Sequence, residues 1–179
     1  VEIRDIINFS KLTNSIKENL ECYNIQFYYP FISLYKDMED DTKENMRHYF
    51  KNYNLIYCIN HKINENIYNI DIVDNTEKVT KIKAFIKKAP ILNPYKYISN
   101  VYSNVSKPFL SCINTKKTID KVNSIGNSAY IDTFFSHLIS NLVNEDICPH
   151  YPLYYGALSC YSKEFKFDIS DGYTNMKYE

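Results

Sequence analysis

The sequence predicts an α+β fold: a five-stranded antiparallel sheet with one long helix packed on it, preceded by a helical N-terminal extension. Three observations predict it. From Asn127 onward, Tyr130, Phe134, Leu138 and Leu142 recur every four residues and Ile131, Phe135, Ile139 and Val143 flank them, which is an apolar face of helical period. Between Asn54 and Lys88 three short apolar or alternating runs are joined by short polar connections, the pattern of an antiparallel meander. After the long helix, Pro149 and Pro152 punctuate the chain ahead of a further aromatic, extended run.

Taken in order, residues 1–53 read as a mainly helical extension. Ile16 and Leu20 mark one short helix with Thr13 at its cap, and Asp40, Asp41 and Thr42 open another with Met46, Tyr49 and Phe50 on one side. Between them Gln26 to Tyr35 reads as extended, held to a sheet edge by Pro30. The main α+β domain then occupies 54–179. Leu55 to Ile59, Ile67 to Val73 and Val79 to Lys88 are its first three strands, with Asp74, Asn75 and Thr76 as a turn. Lys81, Lys83, Lys87 and Lys88 decorate the third strand as solvated edge charges. Residues 89–126 form a long connection carrying a short helix near Tyr95 to Tyr102 and a short strand at Phe109 to Ile113. Asn127 or Ser128 caps the long helix, which needs a sheet to lie on. Leu153 to Cys160 and Glu164 to Ile169 complete the five strands, and Ser170, Asp171 and Gly172 make a closing turn.

Composition bounds the function. The 179 residues are 45% hydrophobic and 23% charged, the balance of one domain with a sizeable core. Twenty-one basic residues match twenty-one acidic ones, so a nucleic-acid partner is not expected: such binding needs clustered, unopposed cations. No apolar run is long enough to span a bilayer. Five widely spaced cysteines without a CxxC pair point to free thiols in a reducing compartment. The Asn-x-Ser sequons at Asn8 and Asn104 are what chance supplies in an Asn-rich chain. The chain begins with Val1, which points to processing or to a longer polypeptide. Abundant Ile, Asn, Lys and Tyr with only three Gly point to an AT-rich genome.

Two local strings carry a family resemblance. Ala84-Phe85-Ile86-Lys87 ends the third strand, and Pro149-His150-Tyr151-Pro152-Leu153-Tyr154-Tyr155-Gly156 follows the long helix. With the strand-strand-strand-helix-strand-strand order they resemble the amino-terminal lobe of a serine/threonine protein kinase, whose third strand carries a V-A-I-K lysine. AFIKKAPILNPYKYI, SAYIDTFFSHLISNL and EFKFDISD further resemble kinase-like proteins of mimivirus-like giant DNA viruses, over roughly Lys81 to Asp171. The resemblance implies Lys87 as the residue that would hold ATP phosphates, ATP and Mg as cofactors only if phosphoryl transfer survives, and the host cytoplasm or virion as the setting.

The departures bear on chemistry. The connection His61-Lys62-Ile63-Asn64-Glu65-Asn66 has no glycine to close over phosphates, and H-R-D and D-F-G strings are absent. The long helix has no acid between Thr133 and Asn144, and Asp132 lies early, which leaves Lys87 without its usual helix partner. Phe85 shares a strand face with Lys87 and would partly fill a nucleotide pocket. The expectation is therefore a catalytically silent kinase-like interaction or virion-associated protein, with protein partners and neither catalytic residues nor metal. The alternatives are the nucleotide-binding lobe of an active atypical serine/threonine kinase and a capsid or virion structural protein.

Other candidates read as structural. His48, His61, His137 and His150 lack metal-ligand spacing, and His137 belongs on the exposed side of the long helix. Cys148 and His150 lack an orienting third group. Asp37, Glu39 and Asp41 alternate like calcium-loop ligands, but the glycine and closing glutamate positions hold Thr42 and His48. Eighteen tyrosines, paired at Tyr28-Tyr29 and Tyr154-Tyr155, suit a contact surface as well as they suit codon bias.

Overall fold

The computed structural model describes residues 9–27, 54–74, 76–102, 120–124, 126–168 and 170. The first helix, α1 (Phe9–Leu20), buries Leu12, Ser15, Ile16 and Leu20, which recur at three- and four-residue spacing on one face. It starts a turn earlier than the sequence predicts, so Thr13 lies inside it rather than capping it. The chain turns at Glu21, in the left-handed region, into β1 (Cys22–Phe27). Strand β1 takes up the start of the run expected to be extended; the rest of that run, the helix expected around Met46 and the acidic alternation at Asp37 to Asp41 lie outside the described residues.

Strands β2 (Asn54–Lys62), β3 (Ile67–Asp74) and β4 (Val79–Phe85) form the expected antiparallel meander, with β3 in the centre. Asp74 closes the β3–β4 turn: its Oδ1 accepts from the Thr76 hydroxyl at 2.6 Å, the Thr76 N–H at 2.8 Å and the Lys78 N–H at 3.1 Å. The Thr76 hydroxyl first, and the backbone donors after it, hold the Asp74 carboxyl below its ordinary value. Burial alternates along most of β3, with Tyr68, Ile70 and Ile72 buried and Asn69 and Asp71 partly exposed, until Val73, which is buried next to Ile72. Two short helices follow, α2 (Pro94–Ile98) and α3 (Asp120–Asn123), then the long helix α4 (Ser128–Asn144) and a last strand, β5 (Leu158–Ser162).

The five described strands do not form one sheet. Strand β5 pairs antiparallel with β1, and β2, β3 and β4 stand as a separate sheet. The expected strand at Leu153 to Cys160 begins only at Leu158, residues 164–168 are not a strand, and the expected strand at Phe109 to Ile113 lies outside the described residues. The physical reason for the separation lies at the outer edge of β2. There Ser15 Oγ accepts the Ile59 N–H at 3.1 Å, Asn19 Nδ2 donates to the Ile59 carbonyl at 2.9 Å, and the Ile56 N–H donates to the Tyr155 carbonyl at 3.1 Å. An edge whose polar groups are already taken cannot accept another strand.

Ile56 and Ile59, three residues apart, would present their amides to opposite edges of a regular strand. They pair with Ile72 and Ile70, two residues apart on β3, so β2 carries one extra residue between them. That bulge turns both amides to the same edge. The core lies beneath: Leu12, Ile16 and Leu20 of α1 pack with Leu55, Ile59, Tyr68, Ile70, Ile72, Val73 and Cys22.

The long helix is the main departure from expectation. It forms where predicted, with Asn127 as its cap, but it is not part of this core. Of its apolar positions only Tyr130 is fully buried; Leu142, Ile131 and Phe135 are exposed, Phe135 at 56%. The residues it buries instead are His137, Ser140 and Asn141, so the expected exposed histidine is 3% exposed.

Replacing Ser15 by Ala orphans the Ile59 N–H and should cost about 1–3 kcal/mol, while Ile16→Ala should cost about 2–5 kcal/mol. Phe135→Ala should stay within roughly 0.5 kcal/mol. Urea denaturation of the three variants checks the ranking.

Candidate functional site

The residues that the sequence singles out for chemistry meet where three elements converge: the end of β4, the β2–β3 hairpin and the start of α4. Alternation continues past the end of β4, with Phe85 and Lys87 exposed and Ala84 and Ile86 turned toward the core. Lys87 therefore projects from an extended segment two residues beyond the strand. Its Nζ lies 2.7 Å from Asp132 Oδ2, in the first turns of α4. The lysine expected to lack a helix partner has one. Asp132 lies early in the helix, and the short extension past β4 brings Lys87 to it. Both side chains are open to water, at 63% and 47% exposure, so the pair is a surface ion pair.

The hairpin tip is tied down from within. Asn64 Oδ1 accepts the N–H groups of Asn66 at 3.3 Å and Ile67 at 3.0 Å. The N–H groups of Ile63 and Asn64 donate to the Ile67 carbonyl at 2.8 and 3.2 Å. The Asn66 carbonyl accepts the Ile86 N–H at 2.8 Å, which anchors the tip to the segment that carries Lys87. Four amides of the tip, those of Ile63, Asn64, Asn66 and Ile67, which a phosphate-cradling loop would aim outward, are thus engaged inside the loop. Phe85 pairs with Ile67 across the ladder and is 66% exposed, on the open side of the sheet rather than filling a cavity. The amides of the hairpin tip are committed within the loop, and Lys87 is paired with the carboxylate of Asp132.

Helix α4 is positioned by polar clasps. Asn127 is fully buried; its Oδ1 accepts the Ala129 N–H at 3.1 Å, and its Nδ2 donates to the carbonyls of Ile91 at 2.9 Å and Lys121 at 2.8 Å. Tyr130 Oη donates to the Val122 carbonyl at 2.7 Å. One cap residue so joins α3, the chain after β4 and α4. At the other end Ser140 Oγ accepts the Tyr154 N–H at 2.9 Å, and His137 meets the Tyr154 ring edge-on at 5.5 Å between centroids. Asp146, in the left-handed region, closes a Schellman-type end in which the Ile147 N–H reaches the Leu142 carbonyl at 2.9 Å.

The other candidates are not brought together. His61 contacts Asn69 at 2.7 Å on the open sheet face, His137 is buried, His150 is exposed, and His48 lies outside the described residues. Cys148 is half-buried on the turn that precedes the exposed His150. Among the described residues no group of three or more His, Cys, Asp or Glu side chains is placed to hold a metal ion. No helix among them is long and apolar enough to cross a membrane. Sequence reasoning missed Asn64 and Ser140; the Asn64-Glu65-Asn66 string was the available signal for a side-chain-closed turn. No family model, curated protein or solved structure matches this chain.

A double-mutant cycle with Lys87→Ala and Asp132→Asn should give a coupling of about 1 kcal/mol or less that falls as salt is raised. Denaturant titrations at low and high ionic strength measure it, and a salt-insensitive coupling well above that value would contradict a solvent-exposed pair.

Proposed function

We propose that this chain is a kinase-like interaction domain that does not transfer phosphate and acts through protein contacts. The setting that its sequence resemblance implies is the virion or the host cytoplasm of a large DNA virus. The observation that carries the reading is the hairpin tip, where the amides of Ile63, Asn64, Asn66 and Ile67 are all used within the loop. Backbone N–H groups held that way offer little to the phosphates of a nucleotide.

The contact surface in this reading is the outer flank of α4. Ile131, Phe135 and Leu142 leave apolar area in water while the helix turns Ser140 and Asn141 inward, an arrangement that favours a covering partner. The helix carries no Lys or Arg, and Glu145 and Asp146 stand at its close, while Asp132 at its start is paired with Lys87. Charge complementarity favours a protein with an apolar face bordered by basic residues over an anionic membrane or a nucleic acid.

The Lys87–Asp132 contact favours a second reading, the nucleotide-binding lobe of an active atypical serine/threonine kinase, because a strand lysine held by a helix carboxylate is part of that machinery. One measurement separates the two. In a thermal-shift titration with ATP–Mg, the interaction reading predicts no stabilisation. Stabilisation that disappears in Lys87→Ala would overturn it in favour of the kinase lobe.

The surface has its own test. Ile131→Glu with Phe135→Glu should leave the Tm within about 2–3 °C while reducing the binding of a hydrophobic dye several-fold. Dye binding unchanged by the pair of substitutions would remove α4 as the contact surface.

A further inference from the structure

Two of the free cysteines lie in paired strands and share a face. Cys22 opens β1 directly opposite Ser162 of β5, and Cys160 lies two residues from Ser162 on the same side of that strand. Diagonal neighbours across a regular ladder stand near the far limit of disulfide reach. Here the ladder is not regular. Between the Tyr23–Tyr161 and Gln26–Ser159 pairs, Asn24 and Ile25 together oppose Cys160, and Asn24 is in the left-handed region. Such a bulge sharpens the local twist. The two thiols are close enough for each to act on the other's ionisation. Cys22 also donates to the Leu20 carbonyl at 3.4 Å.

We propose that Cys22 and Cys160 form a redox-sensitive dithiol that a peroxide converts to a disulfide across the β1–β5 pair. This proposal stands on strand geometry and is independent of the reading of α4 and Lys87. The surroundings favour it. The neighbouring Cys160 thiol, with the Lys88 cation adding to it, eases loss of the first proton from Cys22 against the cost of burial. The second proton is held far more tightly, on Cys160. Tyr68 belongs to the same core as Cys22 and has its own ionisation pushed up by burial and by Cys22.

The chemistry balances in two steps. The Cys22 thiolate attacks one peroxide oxygen, the O–O bond breaks, and the departing hydroxide takes up a proton to leave as water, giving Cys22 sulfenic acid. The Cys160 sulfur then attacks the Cys22 sulfur, the S–O bond breaks, and the Cys160 proton leaves with the hydroxyl as a second water. Two thiols lose two electrons and the peroxide gains them. The product joins the strand after α1 to the last described strand, closing a loop that contains the whole β2–β3–β4 sheet.

Non-reducing peptide mapping of the full chain, before and after treatment with excess hydrogen peroxide, tests the proposal. The expected result is a Cys22–Cys160 linked peptide with loss of two hydrogens, reversed by dithiothreitol, and a Tm raised by on the order of 10 °C. In Cys160→Ser the Tm rise should vanish and a sulfenic-acid trap should label Cys22. A map of the oxidised wild-type chain without the Cys22–Cys160 peptide overturns the proposal, whether the other cysteines react or not.

Discussion

Both backbone groups of Ile59 are taken by side chains of a helix, Ser15 accepting its N–H and Asn19 donating to its carbonyl. Most of the architecture depends on this clasp. A polar side chain buried on a helix face is costly unless it is satisfied, and a strand edge is a liability unless it is covered. Each solves the other's problem, and the solution fixes where α1 lies. Leu12, Ile16 and Leu20, on the same face as Ser15, are then delivered onto Leu55, Ile59 and Ile70. With α1 in place β1 must follow it, and β5 finds its partner in β1 instead of in β2. The two sheets are a consequence of a helix standing where a further strand would have paired.

The same device recurs through the chain. Asn127 gathers three segments at the start of α4, Ser140 takes the amide of Tyr154, and Asn64 closes the β2–β3 hairpin. Only three glycines are present, so left-handed backbone positions fall to Glu21, Asn24, Glu77, Asn100 and Asp146. An Asn-rich, glycine-poor chain uses short polar side chains where others use bare backbone. At the hairpin, Asn64 satisfies the amides of Asn66 and Ile67 within the loop. At α4 the Ser140–Tyr154 clasp lies on a side of the helix that also buries Asn141, and Phe135 and Ile131 are left facing water.

How much of this was legible in the sequence follows from its physical origin. Local periodicity was: the alternation of Ile70 and Ile72, the helical spacing around Ile16 and from Asn127, and the Asp74 turn all appear close to their expected places. Tertiary choices were not. Helical period says that Tyr130, Phe134, Leu138 and Leu142 share a face but not that the face is buried, and at Leu142 it is open. His137 was assigned to the outside because it lies off that apolar face, and the contact with Tyr154 that buries it is invisible to periodicity. The Lys87–Asp132 contact joins residues far apart in sequence, and a rule based on the usual helix position pointed away from it. Strand partnership was lost for a further reason: the bulge in β2 and the Ser15–Ile59 bond leave no pattern of hydrophobicity behind.

The account rests on Ile59 being held by α1, and amide hydrogen exchange reads that bond directly. If Ser15 accepts the Ile59 N–H in a closed, covered edge, Ile59 will exchange among the slowest amides of the chain, through global unfolding, alongside Ile70 and Val73. Exchange of Ile59 as fast as the exposed hairpin amide of Glu65 would contradict it and leave the outer edge of β2 open.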